Sequence, residues 1–116
     1  MAVAARAISE ASDAFRAAQP QLVAAAVAVF LRNDPQSYAA SCRMLGAADL
    51  RHALRAIRVP AAVLVGEEDY ATPVGMAQAL HDGIEGSTLA VLKNARHLTP
   101  LEKPDEIAAE LRKLLK

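Results

Sequence analysis

Net charge is missing from this 116-residue chain, in which 13 Lys and Arg offset 13 Asp and Glu. No electrostatic field marks a nucleic-acid or anionic-membrane partner, so neither is expected. Cysteine is nearly missing as well, and the single Cys42 excludes an internal disulfide and any multi-cysteine zinc site. It reads as a small buried thiol on a helix. Tryptophan is absent and only four aromatic rings are present, while 27 residues are alanine, so large core-forming side chains are scarce. Alanine forfeits much of the roughly 1.5–3 kcal/mol that a large buried side chain contributes, which leaves a thin core that a partner surface could complete. Long apolar runs are lacking too. The longest, residues 22–31, is about half of what a bilayer crossing requires, and Arg6, Glu10 and Asp13 interrupt the start where a secretory signal would need a long apolar stretch. The chain reads as soluble and cytoplasmic. Its five glycines form no phosphate-binding loop, and neither His52 nor His81 has a ligand-spaced partner, so no metal site is expected.

What is present divides into two halves. In the first, Val3, Ala7, Ile8, Ala11, Ala14, Phe15 and Ala18 fall at helical spacing opposite Arg6, Glu10, Asp13 and Arg16, until Gln19-Pro20 ends the run. Leu22, Val23, Ala26, Val27, Phe30 and Leu31 define a second helix. Asp34 as N-cap and Pro35 at the first helical position open a third that Gly46 closes, and Asp49 caps a short fourth helix reaching about Ile57. Phe15, Phe30 and Met44 are expected to pack in the interior.

The second half changes period. Residues 61–65 form a continuous apolar run between Pro60 and Gly66, too short for a helix and suited to a strand buried on both faces. Thr72 as N-cap and Pro73 at the first turn predict an amphipathic helix ended by Gly83 and Gly86. Residues 88–92 predict a second strand, and Pro104-Asp105-Glu106 starts a last helix with Ile107, Ala108, Leu111, Leu114 and Leu115 on its apolar face. The order strand, helix, strand, helix implies two parallel strands joined by a right-handed crossover. Such a pair leaves unpaired edges and normally belongs to a larger sheet.

In open α/β sheets the working side chains lie just past the carboxyl ends of strands. Those loops here are Gly66-Glu67-Glu68-Asp69-Tyr70-Ala71-Thr72-Pro73 and Lys93-Asn94-Ala95-Arg96-His97-Leu98. Neighbouring strands would let Asp69 meet His97, and a carboxylate on an imidazole fixes the tautomer that a general base needs.

The segment from Leu54 through Pro60, Gly66 and Asp69 to Pro73 resembles the penultimate strand and acid loop of the α/β-hydrolase superfamily. The run Asn94-Ala95-Arg96-His97-Leu98-Thr99-Pro100-Leu101-Glu102-Lys103-Pro104 resembles its final histidine loop. Upstream, Asn33-Asp34-Pro35-Gln36-Ser37-Tyr38-Ala39-Ala40-Ser41-Cys42, followed by Asp49-Leu50, resembles the end of the helical lid in the 3-oxoadipate enol-lactonase branch. The resemblance implies residues 1–48 as a helical lid remnant and 49–116 as the C-terminal βαβα portion of the core, with Asp69 as triad acid, His97 as triad base and Glu102 ordering the loop after His97. Arg96 departs from the pattern, since many relatives carry a small residue before the histidine. It could shift the loop or reach toward an anionic substrate. The family's nucleophile sits in a GxSxG turn. None of Ser9, Ser12, Ser37, Ser41 and Ser87 is flanked in that way, and Cys42 lies on the lid-like helix. The implied activity is hydrolysis of a small-molecule carboxylic ester or lactone by a complete enzyme that needs no metal or organic cofactor, with this chain inactive alone and completed by an N-terminal half. The rival expectation is a non-catalytic α/β module that dimerises or binds a partner through its strand edge.

Overall fold

The computed structural model describes residues 8–116, so the expected places of Val3, Arg6 and Ala7 on the first helix lie outside the described residues. Helices α1 (Asp13–Ala18), α2 (Pro20–Phe30) and α3 (Pro35–Ala47) come first, followed by a 3-10 turn at Arg51–Ala56. Strand β1 (Ala62–Gly66), α4 (Val74–Gly83), β2 (Thr88–Leu92), α5 (Thr99–Glu102) and α6 (Pro104–Leu114) complete the chain.

The first helix does not run unbroken to Ala18. Ser12 is extended (φ −61°, ψ 153°) and restarts the helix, its hydroxyl accepting from the Phe15 N–H at 3.4 Å. Backbone groups that would extend the helix are engaged elsewhere: the Ser12 N–H donates to Glu102, and the Glu10 carbonyl accepts from His97 and Leu98. Asp34 caps α3 as expected, accepting from the Ser37 N–H at 2.8 Å. Gly46 does not close that helix. It is helical itself, and the chain turns extended only at Ala48. Cys42 and Met44 are exposed rather than buried, because no described element covers α3, which has no buried residue. Phe15 and Phe30 are partly buried, and Phe30 meets Tyr38 edge to face at 5.2 Å, tying α2 to α3. The predicted fourth helix is the 3-10 turn, where Asp49 bonds the Arg51 N–H two residues on instead of capping a regular helix.

The two strands pair in parallel, from Ala62 opposite Thr88 to Gly66 opposite Leu92, with α4 as the crossover. Among the described residues they form a two-stranded sheet, and β1 is not buried on both faces. Ala62, Val63 and Leu64 are half-buried because no further strand flanks them, whereas Val65 and Gly66 are buried. Ala11, Val65, Ala77, Ile84, Leu92 and Ala95 make the core, and Val65, Leu92 and Ala95 place much of it at the carboxyl ends of the strands. That placement makes the loops beyond them the best-supported part of the fold. At the far end of α4, the Ser87 hydroxyl donates to the His81 carbonyl and accepts from its ring Nδ1 at 2.8 Å, so His81 closes a helix. Leu111 on α6 and Leu115 just past its end stay exposed, so only part of the expected apolar face is covered.

Candidate active site

The geometry of the site begins with a glycine. A Cβ on Gly66 would stand 2.1 Å from the Arg96 carbonyl oxygen and 2.5 Å from that of Ala95, so only glycine lets the loop after β2 cross the end of β1. Backbone bonds then hold the two loops side by side. The Glu67 N–H donates to the Leu92 carbonyl at 2.9 Å and the Glu68 N–H to that of Ala95 at 2.9 Å. Asn94 takes a left-handed φ of 52°, which turns the chain back, and Ala95 is fully buried under the crossing.

Asp69 and His97 meet as the spacing predicts, with Nδ1 of His97 2.9 Å from Oδ2 of Asp69. Every strong acceptor site on the carboxylate is used. Oδ1 accepts from the backbone N–H groups of Ala71 (3.0 Å) and Thr72 (2.9 Å), and Oδ2 accepts from the Thr72 hydroxyl at 2.9 Å. Burial alone would raise the Asp69 carboxyl, but the Thr72 N–H, the His97 ring and the Thr72 hydroxyl together outweigh it and hold the group below its ordinary value. Asp69 is therefore an ionised, acceptor-only group, so the proton between the two residues sits on Nδ1 and the Nε2 lone pair is left available. The imidazole is 39% exposed while the Asp69 side chain is 5% exposed, which suits a buried orienting group behind a reachable base.

Thr72 is a site residue that the sequence reading misassigned. Pro73, not Thr72, stands at the N-cap of α4, and the Thr72 hydroxyl turns back to Asp69. The signal for it is the Asp-x-x-Thr spacing, where a side chain can satisfy the N–H and the hydroxyl three residues on. Glu102 is buried and does order the histidine loop, but before His97 rather than after it. It accepts from the Arg96 N–H at 3.0 Å and from the Ser12 N–H at 3.0 Å.

His97 borders two hollows. One, of about 360 Å3, lies toward the helical half and is lined by Ala26, Val29, Phe30, Asn33, Tyr38 and Leu98 together with Glu10. The other, of about 850 Å3, runs along the open side of β1 and α4 past Val63, Val65, Met76 and Leu80 to Asp69 and Thr72. Among the described residues no group of three or more His, Cys, Asp or Glu is arranged to hold a metal ion, and no helix is long and apolar enough to cross a membrane.

No protein-family model matches the sequence. Individual proteins do. The 3-oxoadipate enol-lactonase 2 of Acinetobacter baylyi is 37% identical over 73 residues, which is 63% of this chain and 27% of that protein. A pimeloyl-[acyl-carrier protein] methyl ester esterase of Neisseria meningitidis is 39% identical over 62 residues, 53% of this chain and 24% of the relative. In three dimensions the enol-lactonase from Burkholderia xenovorans LB400 superposes with a TM-score of 0.91 at 28% identity, over 98% of this chain and 44% of that one. The chain has the fold of the α/β-hydrolase superfamily.

It is similar to the enol-lactonases of that superfamily and spans about a quarter of the curated relatives it matches. Its architecture is the C-terminal part of the α/β-hydrolase fold, two parallel strands and their helices preceded by a helical segment. Within that fold Asp69 and His97 emerge from the ends of adjacent strands, where two side chains from distant parts of the sequence can share one hydrogen bond.

Proposed function

We propose that this chain carries the acid and base of a serine α/β hydrolase acting on a carboxylic ester or lactone, and that it lacks the nucleophile. Asp69 holds His97 in the Nδ1-protonated tautomer and stabilises the imidazolium; Nε2 takes the proton of a serine hydroxyl and returns it to the leaving alkoxide. The carrying observation is the 2.9 Å bond from Nδ1 to a buried carboxylate with all its remaining acceptor capacity satisfied. The serine would come from a GxSxG turn, which no serine of this sequence occupies, together with the backbone donors that stabilise the oxyanion. On this reading residues 1–48 act as lid and 49–116 as core, the complementing partner is the N-terminal half of a related hydrolase, and the lone thiol fits a cytoplasmic location. The chain alone is expected to be inert. A fluorophosphonate probe and an aryl acetate test this directly: no labelling and no turnover above buffer is the expected result, and turnover abolished by His97→Ala would sink the claim of a missing nucleophile.

A second reading has one observation in its favour. The half-buried β1 and the exposed Val91 leave a sheet whose edges are open among the described residues. A chain that uses them to dimerise without any hydrolytic role would give a monodisperse dimer by light scattering and would gain no esterase activity from any hydrolase half.

A further inference from the structure

Arg96 stands where a bulky cation beside the histidine has to be explained, and its contacts decide between the two possibilities left by the sequence. It lines neither of the hollows that His97 borders. Its side chain is only 17% exposed, and Nη1 donates to the carbonyls of Ser9 at 3.0 Å and Ala11 at 3.2 Å. Nη2 lies 3.5 Å from Asp13 and 3.4 Å from Glu68, and the guanidinium carbon sits 6.0 Å over the ring of Tyr70. The guanidinium is thus committed to the protein and is not aimed at a substrate.

Its partners fall in a pattern. Glu68 and Tyr70 flank Asp69 on the acid loop, while Arg96 itself precedes His97, so the residues beside the pair are clamped to each other as the pair is. The third party is the segment from Ser9 to Asp13. Between the two carbonyls that Arg96 holds lies Glu10, whose own carbonyl accepts from the His97 N–H at 2.9 Å and the Leu98 N–H at 3.3 Å. Tyr70 adds a bond from its hydroxyl to that of Ser9 at 2.7 Å. Glu102 secures the same crossing from below, bonding the N–H groups of both Arg96 and Ser12.

We propose that Arg96 is a positioning residue that fastens the segment entering the helical half across both site loops and, through the Glu10 carbonyl, fixes the backbone of His97. The inference rests on the acid–base reading of His97 given above. A guanidinium is required because its planar fork presents several donors at fixed angles, so one side chain holds two carbonyls and two carboxylates at once; an ammonium reaches fewer of them.

The test is made on the full chain by amide hydrogen exchange and by the imidazole Nδ1 proton resonance, which a carboxylate partner moves far downfield. Arg96→Gly should lower the protection of the His97 and Leu98 amides by about tenfold or more, since charge-assisted bonds are lost, and weaken the Nδ1 resonance. It should leave the β1–β2 amides within about twofold of wild type. Arg96→Lys should restore part of the protection, and Asp13→Asn or Glu68→Gln should cost less than Arg96→Gly because the carbonyl bonds persist. Wild-type protection in Arg96→Gly overturns the proposal, as does a wild-type chain whose His97 and Leu98 amides exchange freely. Failure of the acid–base reading has a different signature: clamp and resonance behave as described, yet no hydrolase half yields activity that depends on His97.

Discussion

At the scale of single residues, Asp69 is held ionised by more bonds than its burial opposes, and that has a pH signature with a definite sign. A carboxyl whose folded value lies below the ordinary 3.8 contributes stability that is present above 3.8 and lost as pH falls through the folded value. Wild-type chain should therefore lose more stability on acidification than Asp69→Asn, with the two curves converging at the lowest pH. Exposed Asp13, Asp34 and Asp49, also held below the ordinary value, shift both curves alike and cancel in the difference. Chemical denaturation of the two proteins across this range measures it, and parallel curves would show that the carboxylate is not held as described. Asp69 and His97 were legible in the sequence because strand ends announce where side chains converge. Thr72 was not, because a threonine before a proline satisfies the pattern of a helix cap equally well, and only the fold shows which acceptor its hydroxyl reaches.

At the scale of elements, the site depends on two loops crossing with no room between them. Gly66→Ala puts a methyl group against two backbone carbonyls that cannot rotate away, and should destabilise the chain by about 1–3 kcal/mol while moving His97 off Asp69. Urea unfolding reads the first effect and loss of the downfield Nδ1 resonance the second; a fully stable variant with an intact resonance would mean that the crossing is looser than described. At Asn94, a β-branched residue should cost about 1–2 kcal/mol for its left-handed backbone, whereas Asn94→Gly should be nearly neutral. The elements that periodicity predicted well are those with local reasons to form: Asp34 and Pro35 opening α3, the apolar run of β1, and Pro104 opening α6. The break at Ser12 was hidden because its cause is tertiary. The groups that interrupt the first helix are bonded to Glu102, His97 and Leu98, some ninety residues away, and no short-range pattern carries that information.

At the scale of the whole molecule, the buried core gathers under the site while the surroundings stay open. Met44, Leu45, Leu50 and Leu115 are among the large apolar side chains left mostly exposed, and the long hollow beside β1 is lined by half-buried Val63 and by exposed Met76 and Leu80. An added surface that covers them should raise the unfolding temperature, by an increment that grows with the logarithm of its concentration once that exceeds its dissociation constant. The scarcity of large side chains in the sequence already pointed to an incomplete core. The fold adds where apolar surface is left open: on the flank of β1, alongside the hollow that reaches Asp69, Thr72 and His97. The measurement that bears most directly on the acid–base account is complementation. The chain is mixed with the N-terminal half of a related hydrolase carrying its GxSxG turn, and aryl ester hydrolysis is followed for wild type, Asp69→Asn and His97→Ala. The account predicts activity from the mixture alone, reduced by about 10^3-fold or more in either variant. Activity that both variants leave unchanged would contradict it.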